Sequence, residues 1–214
     1  MLNRIQTIFQ ILKQRIPEAE IELDYTNPYE LLVSVILSAQ STDLQVNRAT
    51  KNLFEVAPNF QKLVELGYDG LCQMVNSIGL YKTKAKNIIR TAEILLAKYD
   101  GQVPTTREEL MSLPGIGLKS ANVILNVLYH KITIAVDTHV FRVARRLSLS
   151  EAKSRDSMSH DLERTLPNYL DEQTMLIAHH LLVLHGRYTC KAIKPKCAAC
   201  PLYIYCNSAD KVVI

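Results

Sequence analysis

The chain has 214 residues, of which 48% are hydrophobic, and its formal net charge is +4 at pH 7. This size and composition exclude a protein too small or too polar to bury a core, and they predict one large or two small globular domains. No apolar run approaches the length of a membrane span, and the N-terminus lacks the apolar core of a signal peptide, so we expect a soluble, cytoplasmic protein.

Apolar residues recur at helical spacing along most of the chain, and this pattern predicts an all-α fold. A first amphipathic helix is predicted to end at Pro17, and a strongly apolar helix is predicted from residue 27 to about residue 39. The patterns T-x-x-Q at 42–45 and T-x-x-E at 106–109 predict capping boxes where two later helices begin.

Two long helices are predicted in the middle of the chain. One extends from Lys82 to Tyr99, and the other begins at Lys119. Residues 132–136 are the only segment predicted to be extended, and they are too short and isolated to build a sheet. Because no flexible linker interrupts the pattern, a second domain would have to pack tightly against the first.

Basic residues form three groups along the chain. Such a group is either an ordinary solvated face or a contact for nucleic-acid phosphates, and the overall charge of +4 is too small to decide between them. The groups are Lys82, Lys84, Lys86 and Arg90; Arg142, Arg145 and Arg146; and Arg187, Lys191, Lys194 and Lys196.

The segment LPGIGLKS at residues 113–120 predicts a tight hairpin followed by a helix that opens on a lysine. Gly115 and Gly117 allow positive φ angles and leave backbone N–H groups uncovered, so that a phosphate oxygen could lie against the turn and the helix N-terminus. The hairpin alone fits an ordinary helix–turn–helix connector equally well. Eighteen positions after Lys119, Asp137 supplies a carboxylate, although it could equally be a helix cap.

Four cysteines lie close together near the C-terminus, in the pattern C-x6-C-x2-C-x5-C. We expect no disulfides, because cytosolic thiols stay reduced. Four soft ligands in a compact loop suit either tetrahedral zinc or an iron–sulfur cluster, and the spacing alone leaves both open. The four candidate ligands are Cys190, Cys197, Cys200 and Cys206, whereas Cys72 is expected to belong to a hydrophobic core.

Six segments, taken together and in order, resemble the endonuclease III family of DNA glycosylases. They are LSAQSTD (37–43), IGLYKTKAKNI (78–88), LPGIGLKSANV (113–123), AVDTHVFRV (135–143), HGRYTC (185–190) and the cysteine pattern at 190–206. The resemblance covers nearly the whole chain, and it favours a [4Fe–4S] cluster over zinc.

The resemblance implies two all-α domains divided by a central cleft. One is a helical barrel from about 21 to 130 that carries the helix–hairpin–helix motif at about 106–128. The other is discontinuous, joining residues 1–20 to 131–214, and holds the cluster loop at 190–206.

The resemblance also implies that Lys119 and Asp137 are catalytic and meet in this cleft. An amine that attacks the anomeric carbon forms an imine, which permits β-elimination, while a carboxylate stabilises the positive charge that builds as the base leaves. A helix N-terminus and partial desolvation favour the neutral amine, and a nearby aspartate opposes it. Related adenine-mismatch glycosylases generally lack this lysine, so Lys119 predicts a bifunctional glycosylase and abasic-site lyase.

Gln40, Leu80 and His139 match DNA-facing positions of the family, the first two entering the duplex where a base is flipped out. Without the resemblance, these residues would be interpreted as a polar residue at a helix end, a core leucine and a packing histidine. One departure is Leu118, where the family commonly has a basic residue. This departure leaves the rate and the lesion range open.

The expected partner is double-stranded DNA with damaged bases or abasic sites, bound by a monomer associated with the nucleoid. The expected substrates are oxidised pyrimidines. Two other functions remain open, a non-catalytic or monofunctional iron–sulfur relative that binds DNA or excises mismatched bases, and a redox sensor that uses the cluster.

Overall fold

The computed structural model describes residues 3–209, 211 and 212, and within them it is helical with no β-strand. The predicted all-α fold is therefore confirmed, and residues 132–136 join no sheet. The ten α-helices are α1 (Arg4–Arg15), α2 (Pro28–Leu37), α3 (Asp43–Val56), α4 (Phe60–Met74), α5 (Tyr81–Lys98), α6 (Arg107–Met111), α7 (Leu118–Tyr129), α8 (Thr138–Arg146), α9 (Arg155–Thr165) and α10 (Glu172–Tyr188).

Three short 3₁₀ helices complete the described fold, at Leu166–Asn168, Cys197–Ala199 and Tyr203–Tyr205. Five residues of the predicted discontinuous domain lie outside the described residues, namely Met1, Leu2, Asp210, Val213 and Ile214. None of the helices in the described part of the chain combines the length and apolarity that crossing a bilayer requires.

Side-chain caps explain where several helices begin. The side chain of Asn27 accepts a hydrogen bond from the Glu30 amide ahead of α2, which ends at Leu37, two residues earlier than predicted. The capping box at 42–45 forms as predicted at the beginning of α3. The box at 106–109 is only half formed, because the carboxylate of Glu109 accepts from the Thr106 hydroxyl at 2.6 Å.

The chain divides into two compact units. One is formed by Glu22–Tyr129, and the other joins the described residues up to Ile21 to those from His130 onward. In the first unit, α2 is buried along most of its length because it packs against α3, α5 and α7. This all-round burial explains why its sequence is apolar on every face rather than on one stripe.

In the second unit, α10 packs against α1 and α8 around an aliphatic core. Gly186 on α10 allows the close approach to α8, since a Cβ atom at position 186 would lie 2.9 Å from Cβ of His139 and 3.1 Å from Cγ2 of Val143. Any larger residue at position 186 would force the two helices apart.

Candidate active site and nucleic-acid interface

The turn between α6 and α7 requires glycine at position 115. Gly115 has φ = +84°, and a Cβ atom there would lie 3.1 Å from Nδ2 of Asn87 and 3.2 Å from its Cβ. Of the two glycines that allow a positive φ here, only Gly115 adopts one. A Cβ atom at position 117 would meet nothing within 4 Å, which leaves the backbone of this turn open on that side.

Helix α5 holds this hairpin in place. The Thr91 hydroxyl donates a hydrogen bond to the Pro114 carbonyl at 3.1 Å, and Asn87 lies beneath Gly115. The side chains of Leu113 and Ile116 are buried on either side of Gly115. These contacts hold the backbone of the hairpin against α5.

Lys119 is the second residue of α7, and its side chain is exposed. The first backbone N–H groups of a helix have no partner within the helix, and the helix dipole makes this end positive, so anions are attracted beside Lys119. The sequence analysis expected the Lys119 amine to be partly desolvated, but the side chain is exposed. Bound DNA would have to exclude water from the amine.

Asp137 is the N-cap of α8, which is one of the two roles that the sequence left open for this residue. Its Oδ1 atom accepts hydrogen bonds from the backbone N–H groups of His139 and Val140, both at 2.8 Å. Its Oδ2 atom has no hydrogen-bond partner in the described part of the chain. The cap therefore orients the carboxylate with one oxygen, while the other remains available for chemistry.

His139 is half-buried and packs against α10. Its Nδ1 atom lies 3.2 Å from Nη2 of Arg142, and this arginine also donates to the Gly186 carbonyl at 2.7 Å and to the Cys190 carbonyl at 2.9 Å. The packing role weighed for His139 is thus present. Arg142 belongs to a predicted basic group, but its guanidinium joins α8 to α10 and to the start of the cysteine loop.

Gln40 and Leu80 lie in two neighbouring turns, residues 38–41 and 78–80, which we call the paired turns. Both adopt the left-handed backbone conformation, with φ = 56° and 58°, and both side chains are exposed, that of Leu80 by 63%. A Cβ atom at position 79 would lie 3.9 Å from the Gln40 carbonyl oxygen, so the turns are adjacent. The core-leucine alternative for Leu80 was wrong.

This backbone conformation is unusual for such side chains. A left-handed conformation is disfavoured for residues with a bulky side chain, and positions of this kind concentrate at functional sites. An exposed leucine in this conformation stabilises no core. The side chain is instead presented outward at the expense of local strain.

One lysine of the first predicted basic group differs from its neighbours. Lys84 is only 5% exposed, whereas Lys82 and Lys86 are exposed. The Nζ atom of Lys84 donates to the Leu37 carbonyl at 2.8 Å and to the Ser41 hydroxyl at 3.0 Å, and burial lowers its pKa. The prediction of a basic face was therefore wrong for Lys84.

The four C-terminal cysteines line one common cavity. Cys200 and Cys206 directly follow the two short 3₁₀ helices, and both line the cavity. Burial raises the pKa of the Cys200 thiol, and the nearby thiols of the other three cysteines raise it further. Cys72, in contrast, is partly buried in α4 and does not line this cavity.

The side chains that line the cavity include four thiols, which are soft metal ligands. Among the described residues, no three His, Cys, Asp or Glu side chains are placed to hold a single ion. Four thiols nevertheless line a common space, and four cysteine thiolates are the usual ligands of an iron–sulfur cluster. The residues present are therefore suited to an iron–sulfur cluster.

Sequence reasoning missed the residues that brace the cysteine loop. Arg146 donates to the Lys191 carbonyl at 2.8 Å, and its Nη1 lies 3.4 Å from Sγ of Cys190. Nε2 of His185 lies 3.8 Å from Sγ of Cys200, and burial lowers the pKa of His185 to about 4. These partners are separated by 15 to 45 positions along the chain, so no local pattern could have indicated them.

The hairpin beside an exposed lysine and the cysteine-lined cavity define a helix–hairpin–helix protein with a C-terminal four-cysteine loop. Residues 33–168 match the family described as HhH-GPD superfamily base excision DNA repair protein. Endonuclease III of Rickettsia felis is 47% identical over 210 residues, covering 98% of this chain and 97% of the relative. The chain belongs to the HhH-GPD superfamily and, within it, to the endonuclease III family.

Two solved structures have the same fold at high coverage. One is a trapped endonuclease III–DNA covalent intermediate, with a TM-score of 0.87 and 41% identity over 97% of both chains. The other is a non-covalent endonuclease III–DNA complex, with a TM-score of 0.88 and 40% identity over 97% of this chain and 96% of that one.

Proposed function

We propose that this protein is a bifunctional base-excision-repair enzyme, which removes oxidised pyrimidines from duplex DNA and cleaves the abasic site by β-elimination. The observation that carries this proposal is the exposed Lys119 at the positive end of α7, directly after the Gly115 turn. A similar protein forms a covalent intermediate with DNA. Such an intermediate requires a nucleophile, and Lys119 is well placed to approach a phosphate-bound sugar.

Lys119 and Asp137 have separate roles in the proposed reaction. The Lys119 amine bonds to C1′ of the sugar and gives up a proton, while the bond from C1′ to the base breaks and the base leaves with its electron pair and takes up a proton. The bond from C1′ to the ring oxygen O4′ then breaks, O4′ takes up a proton, and C1′ forms a double bond to the Lys119 nitrogen. Loss of a C2′ proton from the resulting imine then expels the 3′ phosphate. The free Oδ2 of Asp137 stabilises positive charge at C1′, which requires that both residues reach the same sugar.

The paired turns serve the extrusion of the damaged base. Enzymes that act on a base must rotate it out of the stack, which leaves a gap in the duplex. Gln40 and Leu80 are exposed and adjacent, and they project from strained turns, as residues that fill such a gap should. His139 and the glycines of the hairpin contact the DNA backbone in this proposal.

Leu80→Asn is expected to make the protein more stable and less active. Asparagine tolerates the left-handed conformation, so relief of strain should raise the free energy of unfolding by about 0.5–1 kcal/mol. The loss of the apolar side chain should slow excision from duplex DNA about tenfold or more. Chemical denaturation and single-turnover excision of thymine glycol measure the two effects.

Leu44→Asn is the matched control, because Leu44 is also exposed but lies in the regular helix α3. This change should give no gain in stability, since Asn is a poorer helix former than Leu. A Leu80→Asn protein with unchanged excision would contradict the assignment of Leu80 to the duplex gap.

The four cysteines hold a [4Fe–4S] cluster in this proposal. Its support is that the four cysteines line one common cavity, since four cysteine thiolates are the usual ligands of such a cluster. The cluster would act structurally, holding the loop that contains Lys191, Lys194 and Lys196 in position to contact phosphates. Arg146 and His185 would support it from outside the ligand set.

Protein purified without oxygen should be brown, with broad visible absorption and about four iron atoms per chain. Cys206→Ala should abolish the colour and lower the temperature of unfolding, because the loop loses its cross-link. Cys72→Ala should leave the colour unchanged, since Cys72 does not line the cavity. Colourless protein with about one zinc ion per chain would show that the cluster assignment is wrong.

A second candidate function is a monofunctional glycosylase or a DNA-binding module that lacks lyase activity. The presence of Lys119 argues against both, because binding alone requires no amine at this point and a water-using enzyme forms no covalent intermediate. The enzyme is proposed to act as a monomer in the cytoplasm, associated with the nucleoid through double-stranded DNA. Strand cleavage that depends on Lys119 tests this function.

A further inference from the structure

We propose that Lys84 is a positioning residue that locks the paired turns together, so that Gln40 and Leu80 enter the duplex as one rigid unit. This inference rests on the proposed function for its consequence in catalysis. The lock itself is a property of the protein without DNA and is tested separately below.

The contacts of Lys84 span both turns. Its Nζ atom bonds to the Leu37 carbonyl, three residues before Gln40, and to the Ser41 hydroxyl, one residue after it. Its backbone N–H donates to the Leu80 carbonyl at 3.1 Å. This last bond is the ordinary helical bond from α5 to its N-cap Leu80 and does not involve the side chain. The Lys84 side chain therefore fixes the chain on both sides of Gln40 to the first turn of the helix that Leu80 begins.

Electrostatics explains why this position carries a lysine. Leu37 ends α2, and the last carbonyl groups of a helix have no partner within the helix and form its negative end. Helix α2 has no basic residue in its own last turn. Lys84 supplies the missing cation from α5.

A buried lysine is nevertheless a poor choice for stability alone. Lys84 pairs with no carboxylate in the described part of the chain, and burial lowers its pKa. Apolar residues that replace buried charged groups are often neutral or stabilising. The buried charge is thus explained better by the specific geometry of the paired turns than by a gain in folding energy.

The strain in the paired turns explains why the contacts made by Lys84 are needed. Gln40 and Leu80 both have positive φ angles, which an unrestrained chain would leave for the ordinary helical or extended regions. Hydrogen bonds from Lys84 on either side of Gln40 oppose this relaxation. Without them, the two side chains would no longer project together.

Helix α5 also connects the paired turns to the hairpin. Lys84, Asn87 and Thr91 follow one another at helical spacing, and the last two hold the Gly115 turn and the Pro114 carbonyl. Lys84 therefore sets where Gln40 and Leu80 lie relative to the phosphate-binding hairpin. Misplacement of about 1 Å at such a site costs roughly a hundredfold in rate.

The first test is amide hydrogen exchange in the free protein. Lys84→Met should speed exchange in peptides that cover residues 37–42 and 78–82 by about tenfold or more, and should leave the hairpin at 113–118 unchanged. Ser41→Ala, which removes one of the two contacts of Nζ, should give a smaller effect. Lys51→Met removes the same charge from an exposed position on α3 and should change neither segment.

The second test compares two substrates of the lyase step. Lys84→Met should slow cleavage of an abasic site in duplex DNA by about ten- to a hundredfold, but should change the rate on single-stranded DNA by less than about twofold. Single-stranded DNA leaves no gap to fill, so a general loss of structure would slow both reactions equally. Lys51→Met should behave as the unmodified protein on both substrates.

The outcomes separate the lock from the proposed function. Faster exchange in the paired turns together with a loss confined to duplex DNA supports the inference. Unchanged exchange, or an equal loss on both substrates, overturns it. If the unmodified protein cleaves neither substrate, the proposed function fails, and the exchange data alone decide whether Lys84 locks the turns.

Discussion

Lys119→Gln is expected to abolish strand cleavage at an abasic site, with a loss of at least about 10³-fold in the single-turnover rate. Glutamine is similar in size and keeps a polar group beside the hairpin, but its amide nitrogen is not nucleophilic and forms no imine with C1′. The unfolding temperature should change little, since the Lys119 side chain is exposed. Denaturing gels that resolve the cleaved strand measure this rate.

Lys51→Gln is the control for the loss of one positive charge, because Lys51 is an exposed lysine on α3. Its rate should stay within about twofold of the unmodified protein, in line with the small effect of a single exposed charge. Persistent strand cleavage by Lys119→Gln would assign the nucleophile to another residue. Base release without strand cleavage would instead indicate that water can replace the amine.

Asp137→Asn is expected to slow base excision by about 10²–10³-fold while the protein remains folded and stable. Asparagine keeps an oxygen that accepts hydrogen bonds from His139 and Val140, so the α8 cap should survive within a few tenths of a kcal/mol. It lacks the negative charge that stabilises C1′ as the base leaves. Single-turnover release of thymine glycol and thermal unfolding separate the two roles.

Asp137→Ala is the matched variant that removes the cap as well as the charge. It should lose the same excision activity and, in addition, about 1 kcal/mol of stability, which lowers the unfolding temperature by about 2–4 °C. If Asp137→Asn released the base at the normal rate and only Asp137→Ala were impaired, the carboxylate would be a helix cap without a catalytic role.

Local sequence signals predicted the helices and the hairpin well. The capping box at 42–45, the cap at Asn27 and the glycine at position 115 each act over a few residues, so their physical cause is visible in the sequence itself. The sequence did not indicate which of the two glycines adopts the positive φ, and the structure shows that it is Gly115.

The contacts that organise the site could not be predicted in this way. Whether Lys84 lies on a solvated face or beneath two turns depends on α2, which is 47 positions away from it. Arg142 likewise belongs to a basic group in the sequence, yet its guanidinium binds carbonyls of α10 and the cysteine loop. A charge pattern reports where charges occur along the chain, and not which of them tertiary packing removes from water.

Asp137 shows that two interpretations of one residue need not compete. The pattern D-T-H is typical of a helix cap, and the structure forms this cap with one oxygen while leaving the other without a partner in the described residues. The family resemblance was needed to suggest the catalytic role. In the proposed mechanism, capping and catalysis use different atoms of the same side chain.

The most direct test of this account is to locate the covalent bond between protein and DNA. The protein is incubated with a duplex containing thymine glycol in the presence of borohydride, which reduces an imine to a stable amine, and the adduct is digested and analysed by mass spectrometry. The account predicts a sugar attached to Lys119, formed only with damaged DNA. An adduct on any other residue, or excision and strand cleavage with no adduct at all, would contradict it.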